Sequence, residues 1–378
     1  MLDEKKPKTK LSFVVFMGYP LYNKRIKSEL FGGGAGVQIY LLSKEFAKNS
    51  NFDTTVITGN YKFTKNKIEL WNNLRLFNIR PFKRKLTYYF LSLLNFFIVL
   101  IRLNPDVVIQ RGGTKNTGIC AFYCKLFKKK FIFSIANITD VNGEAEKGFF
   151  GRFYKYGLNN AHHIVAQNKE QILELTHRKR KIGNICLIKS SYEVQDDNSI
   201  KKKEHILWVA RAINWKRPEL FIELAKKFHD RKFIMICNKT DTKVESIHYW
   251  NRIYNKAKKI RNLEFFEFIP FHKINEYFKT AKVFVNTSTF EGFPNTFIQA
   301  FQNRTPVLSL KVNPEGILNE YNLGFDCNNS FDKMVKNLSE LLENRELYNK
   351  FSENCYEYFN NFHNIKNNMK LWIKLIIK

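Results

Sequence analysis

The chain has 378 residues, too many for one ordinary core and enough for two domains; a hydrophobic content of 44% excludes wholesale disorder. Lys and Arg outnumber Asp and Glu by 63 to 34, a net charge of +29, which admits a polyanionic partner or an anionic membrane surface. The many Asn and the 36 Phe trace part of that excess to a coding bias towards Lys, Asn, Ile and Phe. The six cysteines form no CxxC pair and have no His at zinc spacing. That excludes a zinc module and points to idle thiols in a reducing, cytoplasmic compartment.

In chain order, Met1–Lys10 is charged and runs into Leu11–Met17, an apolar stretch too short for a secretion signal and predicted as the first strand. Gly34–Ala47 is predicted as the following helix. Thr54–Thr58, Asp106–Ile109, Phe131–Ile135 and Ile164–Ala166 continue a series of short apolar runs separated by helix-length segments. Between Asn60 and Leu86 stand eight Lys or Arg and a single acid, Glu69. They lead into Leu86–Leu103, an apolar run broken by Ser92, Asn95 and Arg102 that falls short of a membrane span. Basic residues beside such a helix suit an anionic bilayer surface, whereas a run apolar on most sides suits a helix buried on the sheet.

The charged stretch Ser190–His205 reads as a linker, after which the pattern restarts. Ile206–Ala210, Phe233–Cys237, Leu263–Phe266, Val283–Asn286 and Pro306–Leu310 are predicted strands. The plan is α/β, with two Rossmann-like domains facing each other across a cleft. Ligands of open parallel sheets bind beyond the carboxyl ends of the strands, so the loops leaving Met17, Ala210 and Asn286 hold the candidate residues.

The first of these loops leads into Gly32-Gly33-Gly34-Ala35-Gly36 at the start of a helix, where backbone N–H groups and the dipole favour a phosphate. Val37 stands where GxGxxG requires its last glycine, so a dinucleotide fingerprint and a Walker A loop are both excluded. The second loop carries Arg211 and Lys216, two cations suited to a diphosphate or to solvent alone. The third is Glu291-Gly292-Phe293-Pro294-Asn295-Thr296-Phe297-Ile298-Gln299. There Pro294 marks a helix start, Gly292 opens backbone space, and Gln299 lies one turn in on the face of Asn295. A carboxylate accepts hydrogen bonds from sugar hydroxyls and a side-chain amide both donates and accepts; together these residues make a sugar-nucleotide site.

On these residues the chain resembles the retaining GT-B glycosyltransferases of family 4 (glycosyl transferases group 1). Arg211…Lys216 resembles that family's Arg/Lys pair and Glu291…Gln299 its Glu-x7-Glu element, with Gly33-Gly34-Ala35, Asp106-Val107-Val108 and Pro306-Val307 also in place. The resemblance implies an acceptor-binding domain over 1–190, a donor-binding domain over 191–360, and a C-terminal helix over 361–378 returning to the first domain. It further implies that Arg211 and Lys216 neutralise the donor diphosphate and that Glu291 contacts the donor sugar. Gly292, Phe293, Pro294, Asn295 and Thr296 would flank sugar and phosphates, Gln299 would reach the ribose, and Gly33 and Gly34 would meet the phosphates. The chain departs from the pattern where Gln299 replaces a Glu, where Ala210 replaces a Gly, and where Asn313-Pro314-Glu315-Gly316 replaces a glycine-rich turn. Glu315 and Gly316 are still expected to line the donor pocket; the family's His-Asp pair facing the donor has no clear counterpart, and Asp140, in Asn137-Ile138-Thr139-Asp140, is its nearest equivalent and the expected catalytic residue of this domain.

The implied activity is transfer of a hexose-type sugar from a nucleotide-diphosphate sugar to a glycan or lipid-linked saccharide, in polysaccharide or glycoconjugate biosynthesis. Configuration would be retained, with no cofactor and no metal, since no Asp-x-Asp occurs and fixed cations can stabilise the leaving diphosphate. A peripheral place on the inner membrane face is compatible with this. Competing readings are a sugar-nucleotide epimerase of the same fold, a catalytically silent transferase, and a basic nucleic-acid-binding protein. The last lacks zinc-knuckle or RNP-like motifs, so no nucleic-acid partner is expected.

Overall fold

The computed structural model describes residues 7–23, 33–59, 67–79, 86–178, 184–194, 202–239 and 243–377. Residues 60–66 and 80–85 of the basic Asn60–Leu86 stretch, residues 195–201 of the expected linker, and Gly32 lie outside these. The chain divides into two compact units, Met1–Ser191 with Ile365–Lys378, and Tyr192–Asn364.

The N-terminal unit is built on eight strands: β1 (Thr9–Val14), β2 (Phe52–Gly59), β3 (Lys67–Trp71), β4 (Leu74–Ile79), β5 (Val107–Arg111), β6 (Lys130–Ser134), β7 (His163–Ala166) and β8 (Asn184–Leu187). Their order is β3-β4-β2-β1-β5-β6-β7-β8, parallel throughout except for the β3–β4 hairpin. That hairpin turns at Asn72-Asn73, and Asn72 takes the left-handed conformation (φ 50°) that tight hairpins require. The central strands are apolar on both faces because helices cover both; Phe131, Ile132 and Phe133 of β6 are all fully buried. One covering helix, Gly33–Phe46, is packed by the last helix, Ile365–Ile377. The latter buries Ile365, Met369, Trp372 and Ile376 at spacings of three and four. Lys130 Nζ donates to Ile376 O (2.9 Å) and Asn368 Nδ2 to Ser191 Oγ (2.8 Å), tying this helix to the sheet unit.

The first strand is shorter than predicted. It stops at Val14, because the chain folds back at Gly18 into the Tyr19–Tyr22 helical turn, leaving Met17 exposed.

The C-terminal unit holds six parallel strands, β9 (His205–Arg211), β10 (Lys232–Asn238), β11 (Leu263–Phe266), β12 (Ala281–Asn286), β13 (Val307–Ser309) and β14 (Gly324–Asp326), in the order β11-β10-β9-β12-β13-β14. Pro218 opens the helix after β9, its missing N–H costing nothing at a first-turn position. The helix buries Phe221, Ile222 and Leu224 against the sheet, each contributing about 1.5–3 kcal/mol. Phe221→Ala removes the ring packed on Phe233 and costs about 3–5 kcal/mol. Strand order reverses at β9, flanked by β10 and β12. The loops leaving β9 and β12 therefore lie side by side at the carboxyl edge, where open parallel sheets bind their ligands.

Candidate donor site

Ala212 N prolongs the ladder with a bond to Asn238 O (2.9 Å), after which Asn214–Lys216 makes one 3-10 turn. Arg217 follows in a left-handed conformation (φ 45°), held by Nη1 to Asn329 Oδ1 at 3.2 Å. This reversal sends Lys216 towards the loop after β12, where its Nζ lies 2.6 Å from Glu291 Oε2. The other oxygen, Glu291 Oε1, accepts from Asn286 Nδ2 (2.8 Å) and Ser288 Oγ (2.7 Å). Thr287 Oγ1 accepts from Trp208 Nε1 (2.9 Å) and donates to Lys216 O (2.5 Å). Thr289 N donates to Trp215 O at 2.8 Å, and the Trp215 and Phe290 rings stack 5.6 Å apart at 22°. The two loops are thus stitched by backbone, side-chain and ring contacts.

Lys216 and Glu291 retain 16% and 17% exposure, so the pair is largely dehydrated yet reachable by a ligand. Arg211 ends β9 exposed, with no side-chain partner among the described residues. A dehydrated cation and a solvent-facing one at one loop are a fit for an extended anion.

Gly292 follows Glu291 with open space where a Cβ would stand. Pro294 is buried as the N-cap of the Asn295–Gln302 helix, and Asn295 and Thr296 are half-buried in its first turn. Phe293 packs its ring 4.9 Å from that of His363. Gln299 is only 6% exposed, with its carbonyl accepting from Asn303 Nδ2 at 2.7 Å. In the loop after β13, the strand beside β12, Glu315 and Gly316 both take positive φ (56° and 74°). The backbone keeps a turn that favours glycine even though a Glu occupies its first position.

In the N-terminal unit the helix begins at Gly33, one residue earlier than predicted. Gly33 has φ 57° and open space at its Cβ position, and Gly34 is exposed in the first turn. Asp140 is 7% exposed. Its Oδ1 accepts from Gly113 N (2.9 Å), and its Oδ2 from Ala136 N (2.7 Å) and Asn137 N (3.1 Å). Tyr154 OH donates to Asp140 O at 2.7 Å. The carboxylate therefore clamps the loop after β5 to the loop after β6.

Several polar residues at these strand ends were not singled out as site residues from the sequence. Asn286, Thr287 and Ser288 are almost fully buried and orient Glu291 and Lys216; a polar run at a strand's carboxyl end, just before an acid, is the pattern that marks them. Arg111, at the end of β5, donates from Nη2 to Ser190 Oγ (2.9 Å) and lines a pocket with Gln38, Ser134, Lys189 and Ser191. Among the described residues no group of three or more His, Cys, Asp or Glu is placed to hold a metal ion, and no helix is long and apolar enough to cross a membrane.

Residues 191–358 match the family Glycosyl transferases group 1. The chain is 23% identical over 327 residues to the amylovoran biosynthesis glycosyltransferase AmsD of Erwinia amylovora, across 82% of this chain and 86% of that protein. Sucrose-phosphate synthase from Thermosynechococcus elongatus superposes with a TM-score of 0.73 at 13% identity, over 98% of this chain and 100% of that one. Anabaena HepE, solved with UDP and glucose, superposes at 0.70 and 12% identity, over 97% and 99%. Residues 191–358 are thus similar to the glycosyl transferases group 1, and the chain as a whole has the fold of the GT-B glycosyltransferases.

Proposed function

We propose that the protein transfers a hexose-type sugar from a nucleotide-diphosphate sugar to a glycan or lipid-linked saccharide, with retention of configuration and without a metal. The observation that carries this reading is the Lys216–Glu291 pair at the strand-order reversal of the C-terminal sheet. Lys216 and Arg211 bind the diphosphate and stabilise the charge that grows on it as the sugar leaves. Glu291, held by Asn286 and Ser288, presents its carboxylate to the sugar hydroxyls. Backbone from Gly292 to Thr296 flanks sugar and phosphates, and Gln299 takes the ribose side. The bond from the anomeric carbon to the phosphate oxygen breaks, and the acceptor oxygen bonds to that carbon on the same face. The acceptor proton passes to the departing phosphate oxygen. HepE was solved with UDP and glucose and AmsD is named for amylovoran biosynthesis, so UDP-hexoses are the first donors to test and a polysaccharide intermediate the first acceptor.

A panel of nucleotide sugars scored by thermal shift tests the reading, because a ligand bound only by the folded state raises stability by mass action. One donor should raise the melting temperature, and Arg211→Ala or Lys216→Ala should abolish the rise. A flat response to every nucleotide sugar would sink the proposal. Incubation with donor alone separates the transferase from an epimerase, which interconverts the sugar without an acceptor. An inverted anomeric product by NMR would remove the retaining assignment only.

A further inference from the structure

The outer surface of the helix layer on the N-terminal sheet is apolar where a surface helix is ordinarily polar. The Leu86–Leu103 helix buries Phe96, Val99 and Leu100 against the sheet. On its other side Phe90, Leu91, Leu94, Ile98 and Ile101 are exposed, recurring at spacings of three and four along one face. The neighbouring Thr117–Leu126 helix extends this surface with exposed Phe122 and Leu126, and Phe122 lies 5.6 Å from Phe97 ring to ring. Scattered exposed apolar side chains are ordinary, but a continuous patch across two helices marks a contact surface.

The charge around the patch has one sign. The charged residues of the two helices are Arg102 and Lys125; Lys128 and Lys129 follow the second helix, and Lys129 Nζ engages the acid Asp106 at 2.8 Å. Arg102, Lys125 and Lys128 are exposed at its border. Lys125 and Lys128 line a hollow of about 410 Å³ with Asn160 and His162. Lys125 Nζ reaches Asn160 Oδ1 at 3.2 Å. His162 Nδ1 accepts from Phe131 N at 3.1 Å, so the ring's own proton sits on Nε2 as a donor. Two ammonium groups and a ring N–H around one hollow suit a phosphate.

We propose that this face docks on the surface of an anionic bilayer. The apolar stripe enters the boundary between head groups and acyl chains, while Arg102, Lys125 and Lys128 meet lipid phosphates. A second copy of the chain would bring the same cationic border against itself, which the charge disfavours. The surface shares no residue with the donor site, so it stands or falls independently of the proposed transfer reaction.

The test is co-sedimentation of the full chain with vesicles of phosphatidylcholine, alone or mixed with phosphatidylglycerol, at low and high salt. The protein should pellet with the mixed vesicles at low salt, be released at high salt, and stay in solution with phosphatidylcholine alone. Leu94→Glu with Ile98→Glu, and separately Lys125→Glu with Lys128→Glu, should each lower partitioning roughly tenfold or more. Both pairs should leave the melting temperature and its shift with nucleotide sugar intact, which separates a lost surface from a lost fold. Wild-type protein that stays in solution with anionic vesicles overturns the proposal, as do variants that pellet unchanged. A dimer by light scattering that the Leu94→Glu, Ile98→Glu pair dissolves overturns it too, assigning the face to contact between copies.

Discussion

Lys216 and Glu291 meet at 2.6 Å, and Glu291 keeps two further donors, Asn286 Nδ2 and Ser288 Oγ, on its other oxygen. The two residues of the pair are therefore not equivalent. Glu291 is fixed by strand β12 and its loop whether or not Lys216 is present. A donor phosphate that draws Lys216 away leaves the carboxylate oriented.

Lys216→Ala should weaken donor binding by about 2–5 kcal/mol, roughly 30-fold or more in Kd, as truncation of one member of a dehydrated charge pair does. Glu291→Gln keeps a hydrogen-bonding group of the same shape and should hold Kd within roughly tenfold while lowering kcat. Calorimetric titration of the donor alongside steady-state rates checks both. A Kd unmoved by Lys216→Ala would mean that the pair only joins the loops.

Trp215 and Phe290 stack across the same two loops, with 39% and 64% of their surfaces exposed. The contact holds Lys216 and Glu291 in register from the solvent side. Trp215→Ala removes an aromatic pair worth about 0.5–1.5 kcal/mol. Donor Kd should rise roughly two- to tenfold, and less in a Phe290→Ala background, where the partner ring is already gone. Equal effects in both backgrounds would show that the rings act separately.

The loops of the candidate donor site were legible in the sequence because strand ends were. Ile206–Ala210 and Val283–Asn286 are short apolar runs bounded by polar residues, and β9 and β12 cover them with small shifts at their ends. Elements lacking that contrast escaped. β14 has three residues, too few for a period, while β8 is an edge strand whose ends Asn184 and Leu187 are exposed. Side-chain direction was less legible still. Gln299 falls one helical turn beyond Asn295 as its spacing requires, but its burial, at 6% exposure, follows from tertiary packing that the spacing does not state. The Leu86–Leu103 helix buries one apolar face, as a helix packed on the sheet requires, and exposes a second apolar face that its sequence did not separate from the first.

Asp140 accepts three backbone N–H bonds, from Gly113, Ala136 and Asn137. Asp140→Ala strands those donors and should cost about 3 kcal/mol, lowering Tm by roughly 6–12 °C for a unit of this size. Asp140→Asn keeps one acceptor oxygen and should lose less. Thermal melts beside steady-state rates decide the role. A clamp loses Tm and rate together, whereas a residue acting only on substrate would lose rate at constant Tm.

His205 starts β9 and is 5% exposed, and its Nε2 donates to Tyr277 O at 3.1 Å. Burial pushes its pKa down from 6.5 to about 4, and the nearby Lys232 charge adds to the shift. Between those values the unfolded chain binds a proton that the folded chain refuses, so stability falls as pH drops from about 6.5 to about 4 and is flat with respect to this group outside that window. The full loss is about 3 kcal/mol. His205→Gln preserves a donor for the Tyr277 carbonyl but has no proton to gain, so the variant's stability should decline less over this window. Urea melts of both proteins at pH 4.5 and 7.5 measure the difference. Parallel losses in the two would assign the acid sensitivity to other groups and leave His205 as a packing residue at the foot of the donor-site strand.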